Sequence, residues 1–301
     1  MSYVGSFSYF YQARDAAGLQ VYMTNERYLP VDYRYLERNN RALFEACRDG
    51  AEEICEVLIN FGAVVNSVVV DQQTLLYIAC RNAHPACVDL LLAHKANVNV
   101  GDLRNGRTPL MTTAMQQNSH YGLTLNQFID NRCRCMGSLL AAGVAIDQTD
   151  RDGWTALLYA TWNARLAEIL VKFGANVNIF SNLSHLSALH IACRRNNADV
   201  LEVLLCSGAY VDAVNVDGWT PLYFTCWHLH PAVVYSLLFY NADIDVTDNN
   251  GRTAFYNAMF HPGADTSPNR VTMLQLMATC AQTRLEASLA DWIRLARNER
   301  H

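Results

Sequence analysis

Charge is scarce in this chain. Charged side chains make up 17% of its 301 residues and hydrophobic ones 51%. A disordered chain shows the reverse balance, so this one can bury a sizeable core. A basic surplus is also missing: 23 Lys and Arg stand against 28 Asp and Glu, a net charge of −5. That weighs against a nucleic-acid partner. No apolar run approaches the roughly 18 residues of a membrane span, so no membrane partner is expected. The opening stretch MSYVGSFSYFYQARD lacks a basic n-region and a long aliphatic segment, so no signal peptide is expected. The expected compartment is the cytoplasm, with the nucleus also open. There is no Gly-rich phosphate loop, no G-x-S-x-G and no H-E-x-x-H, and no nucleophile–base pair stands out. The chain is therefore expected to be non-catalytic, with no cofactor and no metal.

Ten cysteines are present. In a long chain without a signal peptide they read as reduced thiols. Cys133 and Cys135 form a C-x-C that could be grouped with His120. Structural zinc sites use C-x(2–4)-C spacing and four ligands, so the start of a helix is the better reading.

At roughly 150 residues per domain the length suggests about two domains, but self-similarity outranks that arithmetic. Arg41, Thr74, Thr108, Thr155, Ser187, Thr220 and Thr253 open seven similar stretches, spaced 33, 34, 47, 32, 33 and 33 residues apart. Every stretch but the first, which opens at Arg41, starts with Thr or Ser after a turn, a good helix start. A short apolar helix (ALHIAC, PLYFTC), a polar turn and a second helix with an aliphatic stripe (VLEVLL, VVYSLL) follow. Gly208 and Asn241 end such helices, where a left-handed cap is cheap. The link to the next stretch then projects as a finger. One such element cannot bury its apolar faces alone; stacked elements can.

The period and these words resemble the ankyrin repeat, over about residues 40 to 282. The segments 187–220 and 218–253 match best, and GRTPLM and GWTALLYA carry the same signature. Only His190 keeps the family's His after the Thr-Pro-Leu step; Phe44, Tyr77, Met111, Leu158, Tyr223 and Tyr256 stand there in the other repeats. The expected fold is an all-α ankyrin-repeat solenoid of about seven helix–turn–helix elements with β-finger loops. The expected organisation is a Tyr-rich N-terminal capping segment (1–38), the repeats (39–282, with an insertion near 116–135) and a C-terminal capping helix (283–301). The N-terminal segment holds seven of the fifteen tyrosines, either in a helical cap or in an arm open to phosphorylation. The C-terminal sequence gives two helical stretches, with apolar residues at 274–280 and 285–295.

Six residues after each anchor stand Cys47, Cys80, Ala114, Thr161, Cys193, Cys226 and Met259, a small core position. Cys55 and Cys87 read as core residues of second helices. The fourth repeat is two residues short between its helices. The insertion in the third carries Tyr121, Leu123, Leu125, Phe128 and Ile129, and it either folds back on its own repeat or meets a partner.

The resemblance implies a protein partner held in a groove by the finger tips and the exposed side of the first helices. The residues before the anchors would face it: Asn40, Gln73, Arg107, Trp154, Leu186, Trp219 and Arg252. So would those after the small core position, among them Arg48, Asp49, Arg81, Asn82, Trp162, Asn163, Arg194, Arg195, Trp227, His228, Phe260 and His261. Trp154, Trp162, Trp219 and Trp227, with Arg194, Arg195 and His228, are the expected partner-binding set, because Trp and Arg dominate binding hot spots. The resemblance also implies hydroxylation by an asparaginyl hydroxylase at Asn99 and Asn178, with Leu91 and Leu170 eight residues before. Some ankyrin proteins end in a SOCS box, whose Leu-x-x-x-Cys step docks elongin C. Leu276 and Cys280 have that spacing, though Gln275 and Arg284 depart from the pattern and no Leu-Pro-x-Pro segment follows. The alternative reading is thus a substrate-recognition subunit of a cullin–RING ubiquitin ligase, with elongin B and C as partners.

Overall fold

The computed structural model describes residues 12–26, 33–68, 73–116, 123–260 and 268–298. Side chains are described for all of these except 25, 26, 33–40 and 284–298. Tyr3, Tyr9, Tyr11, Tyr28, His120, Tyr121 and His261 lie outside the described residues, as does the side chain of Asn40.

Helices dominate. α1 (Ala16–Glu26), α2 (Tyr33–Asp49) and α3 (Glu52–Asn60) open the chain. Next come α4 (Leu75–Arg81), α5 (Pro85–Ala93), α6 (Pro109–Ala114), α7 (Leu125–Ala141), α8 (Ala156–Ala160) and α9 (Ala164–Lys172). α10 (Ala188–Arg194), α11 (Ala198–Cys206), α12 (Pro221–Trp227), α13 (Pro231–Phe239), α14 (Ala254–Phe260) and α15 (Pro268–Asn298) complete the series. Two isolated antiparallel bridges, Val68 with Thr74 and Thr247 with Thr253, are the β contacts of the fingers among the described residues. The chain forms two compact units, residues 1–160 with 172–175 and residues 161–171 with 176–301.

The anchor hydroxyls start the first helices. Thr74, Thr108, Thr155, Ser187, Thr220 and Thr253 each accept a hydrogen bond from the backbone N–H three residues on, at 3.1–3.4 Å. This satisfies one orphan donor per helix. Pro109 and Pro221 sit in the first turn, where no N–H is required.

The small position after each anchor is the core. Cys47, Cys80, Ala114, Thr161, Cys193 and Cys226 are fully buried. In the first unit Cys55 Sγ lies 3.7 Å from Cys47 Sγ and 4.0 Å from Cys87 Sγ. Burial pushes the thiols of Cys80, Cys193 and Cys226 up to about 12, so they are inert. All ten cysteines are free, seven of them buried, and Cys206 is exposed. A native thiol titration should therefore show Cys206 as the fastest thiol, the half-buried Cys133 and Cys280 following, and the buried seven appearing only on denaturation. More than three thiols reacting before denaturation would contradict the packing.

In the first unit α1 buries Leu19 and Met23, and Arg14 Nη2 donates to the Asp49 carbonyl at 3.1 Å. The described part of the insertion, from Leu123 on, folds back on its own repeat. It extends the second helix, and α7 starts at a capping box between Thr124 and Gln127. Phe128 and Ile129 are buried, while Leu125 is exposed. Cys133 and Cys135 lie mid-helix on α7, with Cys135 buried.

Arg132 on α7 is also fully buried. Its Nη1 donates to the carbonyls of Thr112, Thr113 and Met115 at the C-terminal end of α6. The guanidinium stacks on Phe128, 4.6 Å from the ring centroid. α6 is only six residues long, and a cation at its C-terminus complements the helix dipole as well as the open carbonyls.

In the second unit α15 is one continuous helix of 31 residues, not two stretches meeting near residue 282. After Pro268 it contains neither Gly nor Pro, so nothing in the sequence breaks it. Met273 and Met277 anchor it in the core.

Candidate interaction surface

The expected binding residues lie at both ends of the first helices, Trp154 and Trp219 at the finger end and Trp162, Arg194, Arg195, Trp227 and His228 at or just past the C-terminal end, and a repeated clamp positions the finger-end pair. A buried polar side chain closes five finger turns: Asp102, Asp150, Ser181, Asn215 and Asp248. Asp150 Oδ1 accepts from the N–H groups of Asp152 (3.0 Å) and Trp154 (2.8 Å). Asn215 Oδ1 does the same for Asp217 (2.9 Å) and Trp219 (2.8 Å). The backbone of each tryptophan is thereby fixed. At Gly218 the turn takes φ +76°, and a Cβ there would meet the Asn249 amide nitrogen of the next finger at 2.9 Å, so glycine is required.

The aromatic side chains rest on tyrosine platforms. In the first unit Trp154 packs on Tyr159, with centroids 5.0 Å apart. Tyr159 donates its hydroxyl to Asp150 Oδ2 at 2.6 Å and accepts from Arg107 Nε at 3.0 Å. Burial, and then the Asp150 contact, push the Tyr159 phenol up.

In the second unit Trp219 stacks on Tyr223 at 4.7 Å and lies 5.3 Å from Trp227. Tyr223 donates to Asp248 Oδ2 at 2.9 Å, and Arg252 donates to the same oxygen from Nε at 3.0 Å and Nη2 at 2.8 Å. Burial alone would raise the Asp248 carboxyl. The hydrogen bonds from Arg252, Tyr223 and the finger backbone outweigh it and hold the carboxyl well below the usual range. The Tyr223 phenol is pushed up to about 12 by burial and by Asp248. His190 is fully buried. Its Nδ1 faces Ser187 Oγ at 2.8 Å, and its Nε2 lies 3.1 Å from the Trp219 carbonyl.

The structure sorts the expected contact residues. Trp154, Trp162, Trp219 and Trp227 are half-buried, while Arg194, Arg195 and His228 are exposed. Trp154 belongs to the first unit and the other six to the second. Leu186 and Asn82 are buried and cannot meet a partner. Asn82 instead donates to the Arg48 carbonyl at 2.8 Å. The tyrosine platforms and their Asp–Arg clamps were not anticipated. A usable signal exists: Tyr follows the anchor by three residues at Tyr77 and Tyr223, one repeat before a finger Asp.

Asn99 Oδ1 accepts from the Ala145 N–H at 2.9 Å, and Asn178 spans the Gly208 carbonyl (3.0 Å) and the Tyr210 N–H (2.9 Å). Asn66 makes the same kind of bridge to Lys95 and Asn97. These amides staple one repeat to the next. Leu276 and Cys280 both lie half-buried on α15.

No helix among the described residues is long and apolar enough to cross a membrane. No group of three or more metal-ligating side chains is arranged to hold an ion among the described residues.

The stacked helix–turn–helix elements, finger turns and capped first helices define an ankyrin-repeat solenoid, a class of protein-interaction module. The ankyrin repeat (3 copies) family model matches residues 25–102, 43–125, 125–215 and 189–278, and the chain belongs to the ankyrin repeat family. It is 36% identical over 123 residues to the ankyrin repeat protein FPV031 of fowlpox virus (strain NVSL), covering 37% of this chain and 34% of that protein. It is 34% identical over 112 residues to chicken inversin, covering 36% of this chain and 10% of inversin. The chain thus spans about a third or less of these relatives. Among solved structures, the human ASB11 ankyrin repeat domain superposes with a TM-score of 0.63 at 24% identity, covering 78% of this chain and 96% of that one.

Proposed function

We propose that this protein is a non-catalytic scaffold or adaptor that binds a protein partner on the finger-side face of its first helices. The observation that supports this reading most is the clamped aromatic cluster of the second unit. Trp219 and Trp227 stay partly open to solvent, Trp219 held by the Asn215 hydrogen bond to its backbone and by stacking on the buried Tyr223, which Asp248 fixes, and Trp227 held against Trp219. A rigid indole offers large contact area at little entropic cost. Trp154 on Tyr159 is the corresponding element of the first unit.

Truncating a central anchor of this kind costs about 2 kcal/mol or more of binding, roughly 30-fold in affinity. Losing one aromatic stack costs the fold about 1 kcal/mol beyond the burial of the half-covered indole. Trp154→Ala and Trp219→Ala proteins should therefore stay folded and melt within a few degrees of wild type, while partner affinity falls roughly 30-fold. If both bind undiminished, this face is not the interface; if both melt far lower, the indoles act in packing.

The ubiquitin-ligase reading is separated by a pull-down with purified elongin B and C, which the scaffold reading expects to be negative. Asparaginyl hydroxylation at Asn99 and Asn178 would require local opening, because both amides are stapled and Leu91 and Leu170 are buried. Peptide mass spectrometry after incubation with an asparaginyl hydroxylase should show one added oxygen at these residues. An unchanged mass would end the assignment.

A further inference from the structure

One line of side chains in the second unit has an order of its own. Trp162, Arg194, Trp227 and Phe260 occupy the seventh position after four successive anchors, and Asn163, Arg195 and His228 occupy the eighth. These seven residues share one unit. Asn197, beside Arg194 and Arg195, donates to the Thr161 carbonyl at 3.3 Å, which ties the turn bearing Trp162 to the repeat bearing the arginines. α10 packs on α12, and α12 on α14, so the positions from Arg194 to Phe260 run on from one helix to the next. Arg194 and Arg195 are exposed, and Phe260 is 63% and Tyr256 46% exposed. Trp162 and Trp227 are half-buried. Along the line the surface therefore reads aromatic, double cationic, aromatic, aromatic.

We infer that this line recognises an acidic peptide segment of a partner protein, with carboxylates opposite Arg194 and Arg195 and apolar side chains on both flanks, over Trp162 and over Trp227 with Phe260. The inference rests on the proposed binding face and names the chemistry of its occupant. Charge carries it. The chain as a whole is acidic, at −5, yet two adjacent guanidinium groups crown the end of α10, where its C-terminal dipole adds no repulsion to them. Desolvation, and then the charge of Arg194, lower the Arg195 pKa, so the pair carries mutual repulsion that an incoming carboxylate relieves. A planar guanidinium also pairs a carboxylate through two parallel hydrogen bonds. A nucleic acid fits less well. It would need a basic track several phosphates long, and here aromatic side chains flank a single pair of cations.

The test is selection of a phage-displayed random 12-residue peptide library on the full chain, followed by fluorescence anisotropy of the winning peptides. The proteins compared are wild type, Arg194→Glu/Arg195→Glu and Trp219→Ala/Trp227→Ala. The winners should carry Asp or Glu between aromatic or aliphatic residues. Charge reversal should weaken them at least about tenfold, and raising the salt should weaken them on wild type but not on the reversed variant. Winners without acidic residues, or winners unaffected by charge reversal, would overturn the inference. If such winners still lose binding in the tryptophan variant, the binding face stands and only its acidic preference falls. If they are insensitive to both variants, the binding face falls as well. A selection with no winner above background, or equal binding of a single-stranded oligonucleotide on the same residues, also counts against it.

Discussion

Replacing Arg132 by Met should lower the melting temperature by about 5 °C, the equivalent of about 3 kcal/mol in a chain of this size. The guanidinium is fully buried and meets three backbone carbonyls at the end of α6. In a repeat without an insertion, a short turn and the following helix close that end. Here the insertion moves the start of α7, and a single cation closes the gap. Methionine matches Arg132 roughly in length and apolar stem, so the change removes the hydrogen bonds together with the buried charge. It leaves the carbonyls buried and unmet, which costs about 1–3 kcal/mol for each group without a new partner. Leu125→Ala on the same helix, at an exposed site, should be nearly neutral. Equal melting of wild type and Arg132→Met would mean the carbonyls find water, and the account of the insertion would fail.

Acidification should weaken the second unit through His190. Burial first, opposed only in part by the Trp219 carbonyl, lowers its pKa to about 4. The unfolded value is about 6.5. At neutral pH the imidazole is uncharged in both states, so its preference for burial is fully present. As pH falls through about 6.5 the unfolded chain binds a proton that the folded chain refuses, and stability drops until about pH 4. Near pH 5 the loss is about 2 kcal/mol from this residue. Urea unfolding of wild type at pH 7.5 and pH 5, followed by tryptophan fluorescence, measures the drop. In His190→Gln the stability at pH 7.5 falls, but the part of the pH dependence above pH 5 largely disappears. A wild-type profile flat from pH 7.5 to pH 5 would contradict the buried neutral imidazole. Asp248 acts in a lower window. Its carboxyl is depressed in the folded state, so its contribution is present above about pH 4 and is lost as pH falls further.

The repeats were legible because a period of about 33 residues writes the same packing problem several times. Cys47, Cys80, Cys193 and Cys226 recur at one register, and each is fully buried. Arg132 was not legible: it occurs once, in an insertion, and a lone arginine in a polar stretch carries no sign of burial. Register also places Trp219 and Trp227 on one face but does not say how far they lean. Their half-burial follows from Tyr223 and the Asp248 clamp, a contact set by the next finger. Leu186 shows the converse. It holds the position of Trp154 and Trp219, yet Ser181 closes its finger and accepts its N–H at 3.0 Å, and the side chain turns inward. The unbroken α15 was legible in the absence of Gly and Pro after Pro268, a signal that apolar spacing alone obscures.

A second exposed aromatic surface offers the sharpest control for the binding face. Tyr235 and Phe239 lie one turn apart on the second helix α13, 62% and 72% exposed. Quantitative affinity purification with the full chain, its Trp219→Ala/Trp227→Ala variant and its Tyr235→Ala/Phe239→Ala variant compares the two faces directly. Recovery of the proteins bound by wild type should fall roughly 30-fold or more with the first variant and stay near wild type with the second. Loss with the second variant and retention with the first would place the partner on the second helices and contradict the account.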